Sequence, residues 1–213
     1  MTHARPRKPL ANRPPAGGLE QGQVNRRKTA SPPKACLVNP YQVANRGRTR
    51  DLAMFNVAID SKLRGSDVVA LKVEDVAPNG YAVDRATVRQ KKTGQPVRFE
   101  LTEQTRQAID EYVRTAGRKP GDFLFPSRRN RDRSISTRQY ARLVSNWIKS
   151  VGLDASRFGT HSLRRTKASL IYRRTGNLRA VQLLLGHRKI ESTVRYLGIE
   201  VDDALAIAEQ VDV

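Results

Sequence analysis

Apolar residues recur at helical spacing along most of this chain and alternate with polar residues in one interval, residues 72–101. The helical pattern predicts an early helix over residues 41–63 and a short one over 66–71, for which Ser66 would be the N-cap. Further helices are expected over residues 101–116, 138–149, 161–174, 177–186, 190–197 and 201–210.

The alternating interval has the features of a small antiparallel meander. Pro78-Asn79-Gly80 and Thr93-Gly94 are turn sequences, and the runs 86–90 and 96–101 flank the second turn. The predicted fold class is therefore mainly α with a small antiparallel β-sheet, an α+β arrangement.

Composition narrows the class of partner. The chain has 213 residues, 40 Lys and Arg against 20 Asp and Glu, and a formal net charge of +20. This charge favours a polyphosphate, so we expect double-stranded DNA as the partner and no membrane. With one cysteine, Cys36, and three histidines, no disulfide, metal site or cofactor is expected. No apolar run approaches the ~20 residues of a membrane span, which favours a cytoplasmic protein.

Charge is distributed unevenly along the chain. Residues 1–50 contain eleven Lys and Arg and a single acid. Residues 1–38, rich in Pro, Gly and Arg, are predicted to be a flexible basic arm that either contacts DNA or is merely solvated. Residues 39–198 should form the folded domain. Residues 199–213 carry no Lys or Arg, and their apolar stripe predicts a helical segment that packs on its own or on a neighbouring subunit.

Residues that can carry chemistry are concentrated in the last quarter of the chain. Gly159-Thr160-His161-Ser162-Leu163-Arg164-Arg165 is followed by Leu185-Gly186-His187 and then by Tyr196. His161 and Arg164 share one helix face, so a proton-transfer group and a bidentate phosphate clamp would point into one space. With a tyrosine nucleophile, this set indicates phosphodiester chemistry.

Together with two upstream motifs, the set resembles the tyrosine recombinase (phage-type integrase) family. The upstream motifs are Leu63-Arg64-Gly65-Ser66-Asp67-Val68 and Lys91-Lys92-Thr93-Gly94, and the resemblance covers about residues 45–205. It implies the catalytic-domain fold of that family. It also implies a site of six residues, in chain order Arg64, Lys92, His161, Arg164, His187 and Tyr196.

The resemblance implies a role for the groups around the phosphate. Arg64 and Arg164 would hold the non-bridging oxygens of the scissile phosphate with aligned hydrogen bonds. Tyr196 would attack phosphorus, forming a 3′-phosphotyrosyl enzyme and releasing a 5′-hydroxyl. His161 would then be the base or proton shuttle.

Three further residues complete this interpretation. Lys92 would be the acid that protonates the departing oxygen, with Lys91 as the alternative because a register shift of one residue exchanges the two side chains. His187 would donate a hydrogen bond to the phosphate or support the tyrosine. Asp67 would either brace the cluster or be a surface acid of its helix.

The implied function is site-specific DNA recombination, that is integration, excision or inversion. It would be carried out in the bacterial nucleoid by a homotetramer on two duplexes, with possible DNA-bending accessory proteins. A type IB topoisomerase and a non-catalytic DNA-binding regulator remain alternatives. Lysine commonly replaces the residue at His161 in the topoisomerases, and all six site residues are present here. Most family members have a core-binding domain ahead of the catalytic one, so the basic arm is expected to supply part of that grip on DNA.

Overall fold

The computed structural model describes residues 49–199 of the chain. The basic arm, the start of the first helix at Tyr41 and the helix over 201–210 lie outside these residues. Helices predominate in the described part, and its strands form one two-stranded antiparallel sheet. The predicted fold class, mainly α with a small antiparallel sheet, is confirmed.

The longest stretch between successive elements is residues 117–136. The elements are α1 (Thr49–Ser61), α2 (Gly65–Val68), α3 (Val73–Val76), β1 (Arg85–Arg89), β2 (Pro96–Glu100), α4 (Glu103–Ala116), α5 (Thr137–Ser150), a short 3-10 helix (Ala155–Arg157), α6 (Thr160–Thr175), α7 (Leu178–Leu185) and α8 (Ile190–Leu197). Helices α4 to α8 agree with the predicted ones to within two residues at each end. None of the helices in residues 49–199 is both long and apolar enough to cross a membrane.

The prediction that Ser66 caps the second helix is wrong. Helix α2 begins at Gly65, and Arg64 is its N-cap, with an extended backbone at φ −67° and ψ 151°. The carbonyl of Arg64 accepts the amides of Asp67 and Val68 at 2.8 and 2.9 Å, which starts the helix one residue early. The arginine of the motif therefore stands at a helix N-terminus, where its backbone is fixed.

The predicted meander is also wrong, because its first strand is replaced by helix α3. The carboxylate of Asp75 accepts the backbone amide of Lys72 at 2.8 Å, which satisfies a free amide at the helix start and favours a helical turn. What remains is a hairpin in which Ala86 of β1 faces Phe99 of β2. The turn at Thr93-Gly94 stands where it was predicted.

Two hydrophobic clusters hold these elements together. The larger one joins α1, α4, α5 and the hairpin, and at its centre Trp147 packs edge-on against Phe55 at a centroid distance of 5.7 Å. The smaller one joins α6, α7 and α8 through Ala168, Val181 and Leu185. The smaller cluster thus supports the segment that carries the last two predicted site residues.

A cluster of charged side chains joins helix α6 to helix α1 and strand β2. Nζ of Lys167 on α6 lies 2.7 Å from Asp60 on α1 and 2.7 Å from Glu100 on β2. Burial alone would raise the pKa of Asp60, but hydrogen bonds from Lys167, Thr105 and Thr102 outweigh it and hold that pKa below its usual value. Because Lys167 lies about one helical turn after Arg164, this cluster fixes the helix that carries the second arginine.

Candidate active site

Arg64 is positioned by a sharp turn between α1 and α2. Lys62, just after the end of α1, has a left-handed backbone with φ 54°. Its buried Nζ donates to the carbonyl of Asp60 at 2.6 Å, which stabilises the end of α1. Arg64 follows two residues later, and its Nη1 donates to Oε1 of Gln90 at the end of the first hairpin strand.

Helix α6 contributes His161 and Arg164. His161 is exposed in the first turn, where the Ser162 hydroxyl accepts the amide of the N-cap Gly159 at 3.1 Å. Arg164 is only 3% exposed, and its Nη2 donates to the carbonyl of Leu185 at 3.0 Å. Its Nε has no hydrogen-bond partner within residues 49–199. The helix therefore presents one exposed imidazole and, one turn later, one buried guanidinium.

The environment of Arg164 contains charges of both signs. Burial lowers the pKa of its guanidinium most, and the charge of Arg64 lowers it further. Tyr196 and Asp67 act in the opposite direction. Two arginines lie close enough to repel one another here, which is the arrangement that a phosphate anion would favour.

His187 lies in the link between α7 and α8. Its Nδ1 is 3.1 Å from the hydroxyl oxygen of the buried Thr193, and its ring stands nearly perpendicular to that of Tyr196 at a centroid distance of 5.5 Å. Burial, followed by the charges of Arg164 and Arg64, lowers the pKa of His187 to about 4. The ring is therefore neutral at physiological pH and has one donor and one acceptor nitrogen.

Tyr196 lies among arginine side chains and beside His187. Its hydroxyl is buried without a hydrogen-bond partner in the described part of the chain, and the guanidinium of Arg164 lies 5.5 Å from the ring centroid. Burial raises the pKa of Tyr196, although Arg164, Arg165 and Arg64 oppose the shift. The ring also packs on the smaller hydrophobic cluster. Tyr196 thus both packs against the hydrophobic cluster and lies beside the arginines.

A cleft of about 310 Å³ opens beside Arg64 and is lined by Lys92 and His161. Lys91, the alternative lysine, is exposed like Lys92 but does not line this cleft, and its backbone amide donates to Asp67 at 3.0 Å. The placement favours Lys92 over Lys91 as the lysine that faces His161. Asp67 is 5% exposed and is therefore not a surface acid.

Arg64 connects the two halves of the site. Its charge influences Arg164, His187 and Tyr196, and its side chain lines the cleft that contains Lys92 and His161. The structure thus places the other five predicted residues around Arg64, although the six come from five separate parts of the chain.

Sequence analysis missed the groups that position the site residues: Gln90 bonds to Arg64, the carbonyl of Leu185 to Arg164, and Thr193 to His187. A signal for Gln90 was present in the hairpin pattern. Inward-facing residues of β1 occupy alternate positions, and Gln90 continues that series and is 1% exposed. An amide on a buried strand face requires hydrogen-bond partners, so its position marks a network.

Comparison with known proteins decides the family. A sequence model of the phage integrase family matches residues 37–201, which is most of the chain. The chain belongs to the phage integrase family. The probable integrase/recombinase YoeC of Bacillus subtilis is 34% identical over 74% of this chain and 82% of its own length. The tyrosine recombinase XerC of Caldanaerobacter subterraneus is 33% identical over 72% of this chain and 42% of its own length.

Solved structures of integrase-family proteins agree with the fold. The XerA recombinase crystal structure matches with a TM-score of 0.65 at 22% identity, over 81% of this chain and 62% of that one. A XerH site-specific recombinase bound to a palindromic difH substrate in a post-cleavage complex matches with a TM-score of 0.69 at 19% identity, over 85% and 53%. The predicted family and catalytic-domain fold are confirmed. The chain spans about half the length of several tyrosine recombinases that it matches.

Proposed function

We propose that this chain cleaves and rejoins double-stranded DNA at specific sites through a covalent 3′-phosphotyrosyl intermediate on Tyr196. One observation carries the proposal: a buried tyrosine hydroxyl lies among arginines, and one of these, Arg64, also lines a cleft that contains a lysine and a histidine. Membership of the phage integrase family and the recombinase relatives support the same chemistry.

The proposed reaction is an in-line substitution at phosphorus. Arg64 and Arg164 neutralise the non-bridging oxygens, which lowers the barrier to attack by an oxygen nucleophile. The bond from Tyr196 Oη to phosphorus forms while the bond from phosphorus to the 5′-oxygen breaks. The phenolic proton passes to His161, and the 5′-oxygen takes a proton from Lys92. The reverse sequence rejoins the strand, so the bond energy is conserved and no nucleotide cofactor is required.

His187 has a different task in this proposal. Being neutral, it adds no further positive charge next to the two arginines, and it offers a ring nitrogen to the phosphate while Thr193 holds the other one. The edge-on contact with Tyr196 also limits how far the phenol ring can turn. His187 thus orients both the nucleophile and the phosphate.

A homotetramer on two duplexes is the finer part of the proposal. Exchange between two duplexes breaks one bond in each of four strands, and each chain supplies one tyrosine of this kind. DNA-bending accessory proteins and a nucleoid location stay predictions from the family resemblance. Light scattering of the DNA complex should give the mass of four chains with two duplexes, and a stable complex of one chain per duplex would contradict it.

A nicked suicide duplex tests the chemistry directly. The duplex is selected from a randomised pool by covalent capture on the full chain. Capture works because the short cleaved fragment dissociates, which prevents rejoining and traps the adduct. Wild type should trap the adduct, and so should Tyr172→Phe, the matched change at a tyrosine on α6, whereas Tyr196→Phe should not. Arg64→Lys and Arg164→Lys should slow trapping by about 10²–10³-fold, since each removes a bidentate donor to the transition state.

The products separate this proposal from the alternatives. Paired sites on one plasmid should give recombinant circles or inversions. Relaxation of the plasmid without any recombinant would instead support topoisomerase activity. Tight binding to DNA with no adduct from any member of the pool would refute the covalent mechanism and support a regulator.

A further inference from the structure

We propose that Gln90 is a positioning residue for cleavage, because its side-chain amide joins Arg64 to Arg164 through the carbonyl of Leu185. This inference rests on the proposed function for its kinetic consequence. The geometry behind it belongs to the chain alone.

Gln90 is buried at the point where β1 runs into the hairpin turn. Its backbone amide donates to the carbonyl of Gln95 at 2.9 Å, and its carbonyl accepts the amide of Gly94 at 2.8 Å. These two bonds close the turn and leave the side chain directed inward. The backbone of Gln90 is therefore as constrained as that of a strand residue.

The orientation of its amide follows from the partners. Oε1 accepts from Nη1 of Arg64 and from the hydroxyl of Thr93 at 2.9 Å, whereas Nε2 donates to the carbonyl of Leu185 at 3.2 Å. A guanidinium can only donate and a carbonyl can only accept, so the reversed amide would lose both bonds. The oxygen of the amide thus binds Arg64, and its nitrogen binds Leu185.

The carbonyl of Leu185 completes the connection, because it also accepts from Nη2 of Arg164 at 3.0 Å. The two guanidinium groups are therefore linked by a continuous series of hydrogen bonds through one amide and one carbonyl. Thr93, the residue after Lys92, is attached to the same amide oxygen. Gln90 consequently fixes the relative positions of both arginines and of the turn that carries the lysine.

There is little room for this connection to adjust. A Cβ atom on Gly186 would lie 3.1 Å from Nε2 of Gln90 and 2.6 Å from Cγ2 of Val97. The end of α7 is thus in direct contact with the hairpin. A shorter or differently charged side chain at position 90 would have to be accommodated by moving an arginine.

The test compares Gln90→Leu and Gln90→Glu with the same changes at Gln95, an exposed glutamine of the same hairpin turn. Gln90→Leu removes the side-chain bonds to Arg64, Thr93 and Leu185. Gln90→Glu keeps an acceptor for Arg64 but loses the donor to Leu185. Displacing a phosphate clamp by about 1 Å reduces rates by about 10²-fold, and we expect both Gln90 variants to be slower by about that factor. The rate is that of single-turnover adduct formation on the captured suicide duplex at saturating protein.

Affinity for the same duplex should change less than threefold in both Gln90 variants, because the exposed cations that grip DNA are untouched. A merely structural role would lower affinity and thermal stability together with the rate. Unchanged cleavage by both Gln90 variants, or equal slowing by the Gln95 variants, would overturn the inference.

A measurement on the free protein needs no DNA. The side-chain ¹⁵N signals of Arg64, identified by their loss in Arg64→Lys, should show slow guanidinium rotation in wild type and fast rotation in Gln90→Leu. Fast rotation already in wild type would refute the hydrogen-bonded connection. Absence of a wild-type adduct would refute the proposed function but not the hydrogen-bonded connection. The rate of guanidinium rotation would still decide whether Gln90 holds Arg64.

Discussion

Gly186→Ala should destabilise the protein more than an ordinary substitution at a helix end. Gly186 ends α7 with φ 65°, and an added Cβ would lie 2.6 Å from Cγ2 of Val97 on β2. The change therefore imposes two separate costs, one on the backbone and one on the packing of α7 against the hairpin. It also disturbs the carbonyl of Leu185, to which Arg164 donates.

The two costs can be estimated separately. A residue with a Cβ pays about 1–2 kcal/mol for the left-handed backbone. Overpacking at a tight contact adds about 1–3 kcal/mol, because Val97 is 2% exposed and cannot move into solvent. The free energy of unfolding should thus fall by about 2–5 kcal/mol. For a domain of this size, each kcal/mol lost lowers Tm by about 2–4 °C.

Gly176→Ala isolates the backbone cost. Gly176 ends α6 with φ 64°, nearly the same angle, and an added Cβ there would meet nothing within 4 Å. Urea denaturation followed by circular dichroism should give a loss of about 1–2 kcal/mol for this control. The difference between the two variants measures the contact with Val97.

A second change tests whether that contact is the cause. Val97→Ala removes Cγ2, so it should cost less in the Gly186→Ala background than in wild type, with a coupling energy of about 1–3 kcal/mol. Equal losses for Gly186→Ala and Gly176→Ala, or additive effects of Gly186→Ala and Val97→Ala, would refute the reasoning.

Three further predictions concern charge. Lys167→Met should lower the free energy of unfolding at pH 7 by about 1–3 kcal/mol, because Asp60 keeps its hydroxyl partners but loses its cation; denaturation with the exposed Lys149→Met as control measures this. The pKa of His187 is about 4 when folded against 6.5, so the unfolded chain binds the proton first and stability should fall as the pH drops from about 6.5 to 4. Screening at this half-buried ring limits the loss to about 1–2 kcal/mol, and urea titrations of His187→Gln should lack it. Deleting residues 1–38 should weaken duplex binding and reduce its dependence on salt, and an unchanged salt slope in a filter-binding titration would contradict a role in DNA contact.

The sequence predicts the long elements of this fold well because their periodicity is repeated over several turns. Helix α5 is an example, since its apolar stripe includes Tyr140, Val144, Trp147 and Ile148, all of which are buried. Four-residue helices have no room for such a period. Helix α3 depends on one carboxylate, that of Asp75, which leaves no periodic signal. The alternating pattern of residues 72–101 therefore predicts a strand in its place.

The site divides in the same way. The candidate reacting groups stand out in the sequence because each lies in a short motif and the motifs follow one another in the order of the family resemblance. The groups that orient them could not, because a bond between Gln90 and Leu185 joins residues 95 positions apart and involves a backbone carbonyl, which any residue type supplies. Contacts of this kind have no sequence motif of their own.

The partners of the two arginines explain how the site keeps its charge for the substrate. Oxygens of an amide and of a backbone carbonyl orient the guanidinium groups of Arg64 and Arg164, and these acceptors are neutral. The nearby carboxylate of Asp67 bonds to the amide of Lys91 instead. A carboxylate paired directly with either arginine would neutralise it and compete with the phosphate, whereas a neutral acceptor fixes the geometry and leaves the positive charge uncompensated. An anion bound between the two arginines would relieve the repulsion that remains between them, so the phosphate of the proposed reaction should stabilise the site.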